Sequence, residues 1–216
     1  MQQVRSIAID GTDAQGITEG YGLTISPNER WLTYLAPLNN APAPSLYLLA
    51  MDSKAPIALG VNLPPPIFSP DSRRMVWTVE WQQNGHFMNA VMLATITAQG
   101  VEQHQLLQQA NYQCQLHVGC FSPDSRRLVC HDHGLAMYDL DSGLRTAVLE
   151  DADVGLPSFT PNGTHLVFVC QGHLCACQPD GSDLRVLTPD IQIDNDSRWS
   201  YTYAPGDRII FAAMPE

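Results

Sequence analysis

The chain has 216 residues, 44% of them hydrophobic and only 15% charged, enough for one domain with a sizeable core. Twenty-two acids against eleven Lys and Arg give a net charge of −11, which argues against a phosphate-binding nucleic-acid surface. No run of about 20 apolar residues is present to span a bilayer, and the N-terminus, Met1-Gln2-Gln3-Val4-Arg5, lacks the apolar core of a signal peptide. The expected location is cytoplasmic if this is the whole chain. It is periplasmic or extracellular if the sequence is cut from a longer exported protein.

In chain order, Val4 to Asp10 reads as a strand, with Val4, Ile7 and Ile9 apolar and Asp10-Gly11 making the turn. Next comes Ile25-Ser26-Pro27-Asn28, followed by the apolar run Trp31 to Tyr34. The same unit returns as Phe68-Ser69-Pro70-Asp71, Phe121-Ser122-Pro123-Asp124 and Phe159-Thr160-Pro161-Asn162, and last as Tyr203-Ala204-Pro205-Gly206. Each copy predicts a β-hairpin: Pro presets the first central turn position, and Asp, Asn or Gly tolerates the bend that follows. The strand after each turn ends on Tyr34, Trp77, Cys130, Phe168 or Phe211, which points to one shared packing slot. Successive Ser slots lie 43, 53, 38 and 44 residues apart, close to the length of a four-stranded propeller blade. Between the copies, Gln103 to Gln109 fits a short helix or an outer strand. Pro64-Pro65-Pro66 stiffens the passage from the first unit to the second.

These residues, with Leu46-Tyr47, Met137-Tyr138, Pro179-Asp180-Gly181-Ser182 and Val186-Leu187-Thr188-Pro189, make the chain resemble the TolB-like, WD-like β-propeller repeats of bacteria. The resemblance runs from Tyr21 onward. It implies an all-β, five-bladed propeller of four-stranded antiparallel blades, at about 21–60, 61–109, 115–150, 153–188, and 195–216 plus 1–20. On this reading the whole chain is one domain, and strands within 4–20 close the ring by pairing with a C-terminal half-blade at about 200–213. It also implies a non-catalytic scaffold that holds a protein or peptide partner, as TolB-like propellers do, in a monomeric chain without a cofactor. Two other roles fit the same repeat. One is a sensor or accessory propeller of a larger enzyme. The other is a metal-dependent lyase, since some lyases with related repeats use His-bound manganese.

The repeated turns are short and alike, so the loops of varying length on the other face are the expected binding side. Tyr21, Trp81, Tyr112, His117 and Trp199 are the expected contacts there, at or near the channel mouth. His117, His131, His133 and His173 map to the same side and are the candidates for a metal, although their spacing matches no known signature. Nothing marks a catalytic centre. There is no Gly-x-Ser-x-Gly, no phosphate-cradling loop and no His-Glu-x-x-His, and the inner-strand positions are apolar where a glycosidase needs paired acids. The six cysteines form no Cys-x-x-Cys pair and read as buried thiols, with Cys114–Cys120 a possible bridge in an exported protein.

Overall fold

The computed structural model describes residues 2–8, 10–37, 43–53, 55–97, 100–110, 116–150, 152–193, 201–204 and 208–212, and for 104–110 the backbone alone. Strands and turns make up all of the described secondary structure. They fall into two compact units, Met1–Gln108 and Gln109–Glu216.

In the first unit β1 (Gln3–Ser6) and β2 (Gln15–Glu19) form a two-stranded antiparallel sheet that bulges between Val4 and Arg5. Gly20 ends it at a point where a Cβ would lie 2.7 Å from the Leu35 carbonyl oxygen and from the Tyr34 ring, so only glycine fits. A four-stranded meander follows: β3 (Tyr21–Ile25), β4 (Trp31–Pro37), β5 (Pro44–Ala50) and β6 (Ile57–Val61). A second consists of β7 (Ile67–Phe68), β8 (Arg74–Gln83), β9 (His86–Thr97) and β10 (Gly100–Ala110), so the ambiguous Gln-rich stretch is a strand. Alternating apolar residues put Leu46 and Leu48 of one sheet against Phe68, Met75 and Trp77 of the next.

The second unit opens with β11 (Arg127–His131), β12 (Gly134–Asp139) and β13 (Arg145–Glu150), to which the Phe121–Leu128 bridge adds the trace of an inner strand. Then come β14 (Val154–Phe159), β15 (Leu166–Cys170), β16 (His173–Cys177) and β17 (Arg185–Val186) in one sheet. The last pair is β18 (Tyr201–Ala204) and β19 (Arg208–Phe211). Phe168, Leu166 and Cys175 fill the core between the first two of these sheets, while Val167, Val169 and Tyr201 fill that between the last two.

The repeated turn has one construction. Ser69 Oγ donates to Asp71 Oδ1 at 2.6 Å and accepts the Arg74 N–H at 2.9 Å. Ser26 repeats this with Asn28 and Trp31, Ser122 with Asp124 and Arg127, and Thr160 with Asn162 and His165. One residue of each turn takes a left-handed backbone: Glu29, Ser72, Ser125 and Gly163 have φ between 59° and 71°. Ser72 justifies that strained position, because its Oγ accepts the Asn28 N–H of the preceding turn at 3.0 Å.

Of the expected packing slots, Tyr34, Trp77, Cys130 and Phe168 are buried, and Phe211 is half-buried. The thiol reading is corrected at one place: Cys170 and Cys175 are joined in a disulfide. The β15–β16 register pairs Cys170 with His173 and Phe168 with Cys175, which sets the two Cα atoms 6.0 Å apart, inside the range a bridge requires. Cys120, Cys130 and Cys177 are buried, and burial pushes the Cys177 thiol up to about 11. Cys114 lies outside the described residues.

Candidate functional site

The β8–β9 hairpin is long, with ten continuous residue pairs from Arg74–Thr95 to Gln83–His86. β8 has 10 residues where its counterpart β4 has 7, a difference of about 10 Å of strand at roughly 3.3 Å per residue. Asn84 and Gly85 close it with φ of 52° and 80°, the two positive values a type I′ turn needs. Trp81 pairs with Met88 near this end and is half-buried, and Phe87, paired with Gln82, is 65% exposed. Across from the exposed Glu80, Asn89 is buried with neither of its amide atoms hydrogen-bonded. Nothing in the residue pattern marks Asn89, because its burial depends on what stacks over β9. Tyr21, at the start of β3, is exposed. Tyr112 and Trp199 lie outside the described residues.

In the second unit the structure brings His117 together with Tyr201, Tyr203 and Ser158. The His117 ring is buried and stacks on Tyr201 with centroids 4.6 Å apart. Neither ring nitrogen has a hydrogen-bond partner, although backbone groups of Val118 and Tyr201 lie beside the ring. Burial holds its pKa below the ordinary value, so His117 is neutral at pH 7. Beneath it the Tyr201 hydroxyl meets two carbonyls, Leu156 at 2.5 Å and Val167 at 2.9 Å, and must donate to them. Ser158 then donates to Tyr201 at 2.7 Å, and Tyr203 donates to Ser158 at 2.8 Å. All three hydroxyl protons are thus committed. Ser158 is fully buried, and burial raises both tyrosine pKa values, that of Tyr203 to about 12. This is a structural knot under His117, with no group poised to act as a nucleophile.

The other histidines have separate settings. His131 is buried at the end of β11, and burial lowers its pKa against the raising influence of Asp153 and Asp132. His133 is exposed in the next turn, with φ 50°. Asp132 between them is buried, and the sequence did not reveal its partners. Its Oδ2 accepts from the Tyr138 hydroxyl and from Arg145 Nε, each at 2.5 Å, while Arg145 Nη2 donates to its main-chain carbonyl. His173 Nδ1 faces the Thr188 and Ile191 carbonyls at 2.8 and 3.1 Å, so that nitrogen carries the proton, and Nε2 accepts from Gln192. Among the described residues no three His, Cys, Asp or Glu side chains come together as a metal-holding group.

A cavity of about 270 Å³ lies on the turn side of the second unit, floored by Val167, Ala176 and Tyr203. Its rim is a directed chain in which Arg185 donates to His165, His165 to Thr164, and Thr164 to Asn162.

No family model matches the chain, and no curated protein sequence does. Solved structures do. The TolB of Acinetobacter baumannii aligns over 99% of this chain at TM-score 0.59 and 14% identity, and this chain spans 54% of its length. The β-propeller domain of the trilobed protease from Pyrococcus furiosus, described as having an open velcro topology, aligns over 99% at TM-score 0.65 and 10% identity, with 71% of that chain covered. An oligogalacturonate lyase in complex with manganese aligns over 89% at TM-score 0.59 and 14% identity, with 61% of that chain covered. The chain therefore has the fold of a β-propeller domain, similar to the TolB-like propellers. At these identities the likeness speaks for the fold alone.

Proposed function

We propose that this propeller is a non-catalytic scaffold that binds a protein or peptide partner through its variable loops and channel mouth. The observation that carries the reading is the aromatic end of the β8–β9 hairpin, where Phe87 is 65% exposed on one face of a preformed β-ribbon and the half-buried Trp81 lies on the other. Aromatic side chains on a rigid element are the usual anchors of protein contacts. Tyr21, Trp81, Tyr112, His117 and Trp199 are the proposed contact residues. The chain acts as a monomer and as one domain, with five four-stranded blades and a ring closed by 4–20 pairing with 200–213. Leu23 and Ile25 are exposed on β3, and Ile210 is exposed on β19. Covering such surfaces is what closure would accomplish. The Cys170–Cys175 bond favours an oxidising compartment, hence the exported alternative for location.

The reading is tested by retention of proteins on the immobilised chain, compared quantitatively with the Trp81→Ser/Phe87→Ser variant. Retention that falls about tenfold in the variant is expected. Equal retention would move the contact elsewhere. Near one equivalent of manganese or zinc in the untagged protein, measured by elemental mass spectrometry, would overturn the scaffold reading in favour of the lyase-like one, with His117, His131, His133 and His173 as first targets.

A further inference from the structure

The register of β8 with β9 runs unbroken from Arg74–Thr95 to Gln83–His86. On its other side β8 has only β7, and that ladder stops after two pairs, Ile67–Val76 and Phe68–Met75. Continued in the same register, Pro65 would face Thr78, but it belongs to the run Pro64-Pro65-Pro66, which has no N–H to donate. Among the described residues no strand lies along this side of β8 from Trp77 to Gln83. In two other sheets the inner strand reaches much further: β3 covers β4 up to Leu35, and β14 covers β15 up to Cys170, while beside β11 it is reduced to the Phe121–Leu128 bridge.

Two bonds identify the main-chain groups left open. The Ser69 N–H donates to the Arg74 carbonyl, and the Ile96 N–H donates to the Arg73 carbonyl. Even-numbered residues of β8 therefore turn toward the β7 lane and odd-numbered ones toward β9, as antiparallel pairing alternates. Thr78, Glu80 and Gln82 point their N–H and C=O groups into the lane that no described strand occupies. Glu80 and Gln82 are exposed and Thr78 is half-buried.

We propose that an extended segment of the protein partner adds to this edge as a strand, bonding the main chain of Thr78, Glu80 and Gln82. Its Lys or Arg sits opposite Glu80, with apolar residues opposite Val79 and Trp81. The inference rests on the partner-binding reading and gives it a place. Strand addition supplies affinity through main-chain bonds and specificity through alternate side chains. Glu80 is the only Asp, Glu, Lys or Arg between Arg74 and Glu102, so it fixes the charge of the residue across from it. Val79 and Trp81 are half-buried on the opposite face of the strand and present apolar surface to the flanking positions. A second copy of this chain fits worse. A two-fold pairing centred on the open edge sets Glu80 against Glu80, between two chains that each carry a net charge of −11.

The test pans a phage-displayed library of random linear peptides against the wild-type chain, then measures synthetic copies of the enriched sequences against Gln82→Pro. That substitution removes one outward N–H and leaves the ladder to β9 intact. Enriched peptides should carry Lys or Arg between apolar residues and bind the variant about tenfold more weakly. They should also slow hydrogen exchange at the Thr78, Glu80 and Gln82 amides, and Glu80→Lys should turn the preference to acidic peptides. If Gln82→Pro does not fold, peptides N-methylated at alternate positions replace it, and one of the two methylation patterns should abolish binding. Peptides that bind wild type and Gln82→Pro equally, or in both N-methylated forms, would overturn the edge site and leave the broader scaffold reading standing. Failure to enrich any peptide would count against both. A wild-type dimer that Gln82→Pro makes monomeric would overturn the peptide by putting a second copy on the edge.

Discussion

At the scale of single residues, the repeated serine shows how a turn is written into a sequence. A buried hydroxyl accepts the N–H five residues on and donates to the carboxylate or amide two residues on, so both partners are local and the spacing alone announces them. The side chain–side chain partners of Asp132 are six and thirteen residues distant, and Tyr138 and Arg145 reach it only through the register of three strands. Such a cluster leaves no trace in spacing. His117 is an intermediate case, since its place before an inner strand was readable but its burial with two unbonded nitrogens was not. It leads to a prediction about acid. Burial lowers the folded-state pKa of His117, and of His131, below the unfolded value of about 6.5. The unfolded chain then binds more protons than the folded one between the two values, so stability is full above about pH 6.5 and is lost as pH falls. His117→Phe keeps a ring against Tyr201 and removes the titration. Urea unfolding at pH 7.5 should change by less than about 1.5 kcal/mol, as for a near-isosteric core exchange. The loss of stability from pH 7.5 to 5.5 should be visibly smaller than in wild type. An unchanged pH slope would mean that His117 does not titrate on unfolding in the way its burial requires.

At the scale of elements, hairpins were the most legible part, because a turn signal and two alternating runs lie within about 15 residues of each other. Gln171-Gly172 announced the β15–β16 turn in this way, and that turn carries the disulfide between Cys170 and Cys175. The sequence sets Cys170 and Cys175 five residues apart, on either side of this turn. It did not fix which residues face each other, and a shift of one residue would have turned the sulfurs apart. The expected outcome is direct. Alkylation of the unfolded, unreduced chain should label Cys177 and leave Cys170 and Cys175 unlabelled in the peptide map. Closing so short a loop restricts the unfolded chain by about 2 kcal/mol on the loop-entropy estimate. Reduction should therefore lower the midpoint of thermal unfolding by about 4–8 °C. Labelling of both cysteines without reductant would show that they are thiols. The open edge of β8 was half-legible in a similar way. Three prolines announce a stiff passage, but that this passage leaves a lane of strand uncovered depends on where β7 begins pairing.

At the scale of the whole molecule, the period of the repeat made the propeller readable, because each unit must bury its apolar face on the next and so must recur. How the ring ends is a different kind of question, since no single unit encodes it. The first strand pair is tied to the sheet that follows it by the close approach of Gly20 to Tyr34 and Leu35, and it carries one buried aliphatic residue, Val4. In the closed ring we propose, that same pair also completes the last blade, and its loss would open a strand edge along a C-terminal half-blade with Ile210 already exposed. Deleting residues 1–18 should then lower the thermal midpoint and shift the chain from monomer to concentration-dependent oligomers on size exclusion with light scattering. An open ring, of the kind named for the Pyrococcus furiosus propeller, predicts a different outcome. The truncated chain would stay monomeric and lose only the small contribution of Val4 and its neighbours, about 1–2 kcal/mol for one buried aliphatic side chain and a few ladder bonds. The two outcomes separate a ring held shut by its own N-terminus from a stack of sheets whose ends are free. They also decide whether a partner meets one continuous surface or an arc with two edges of its own.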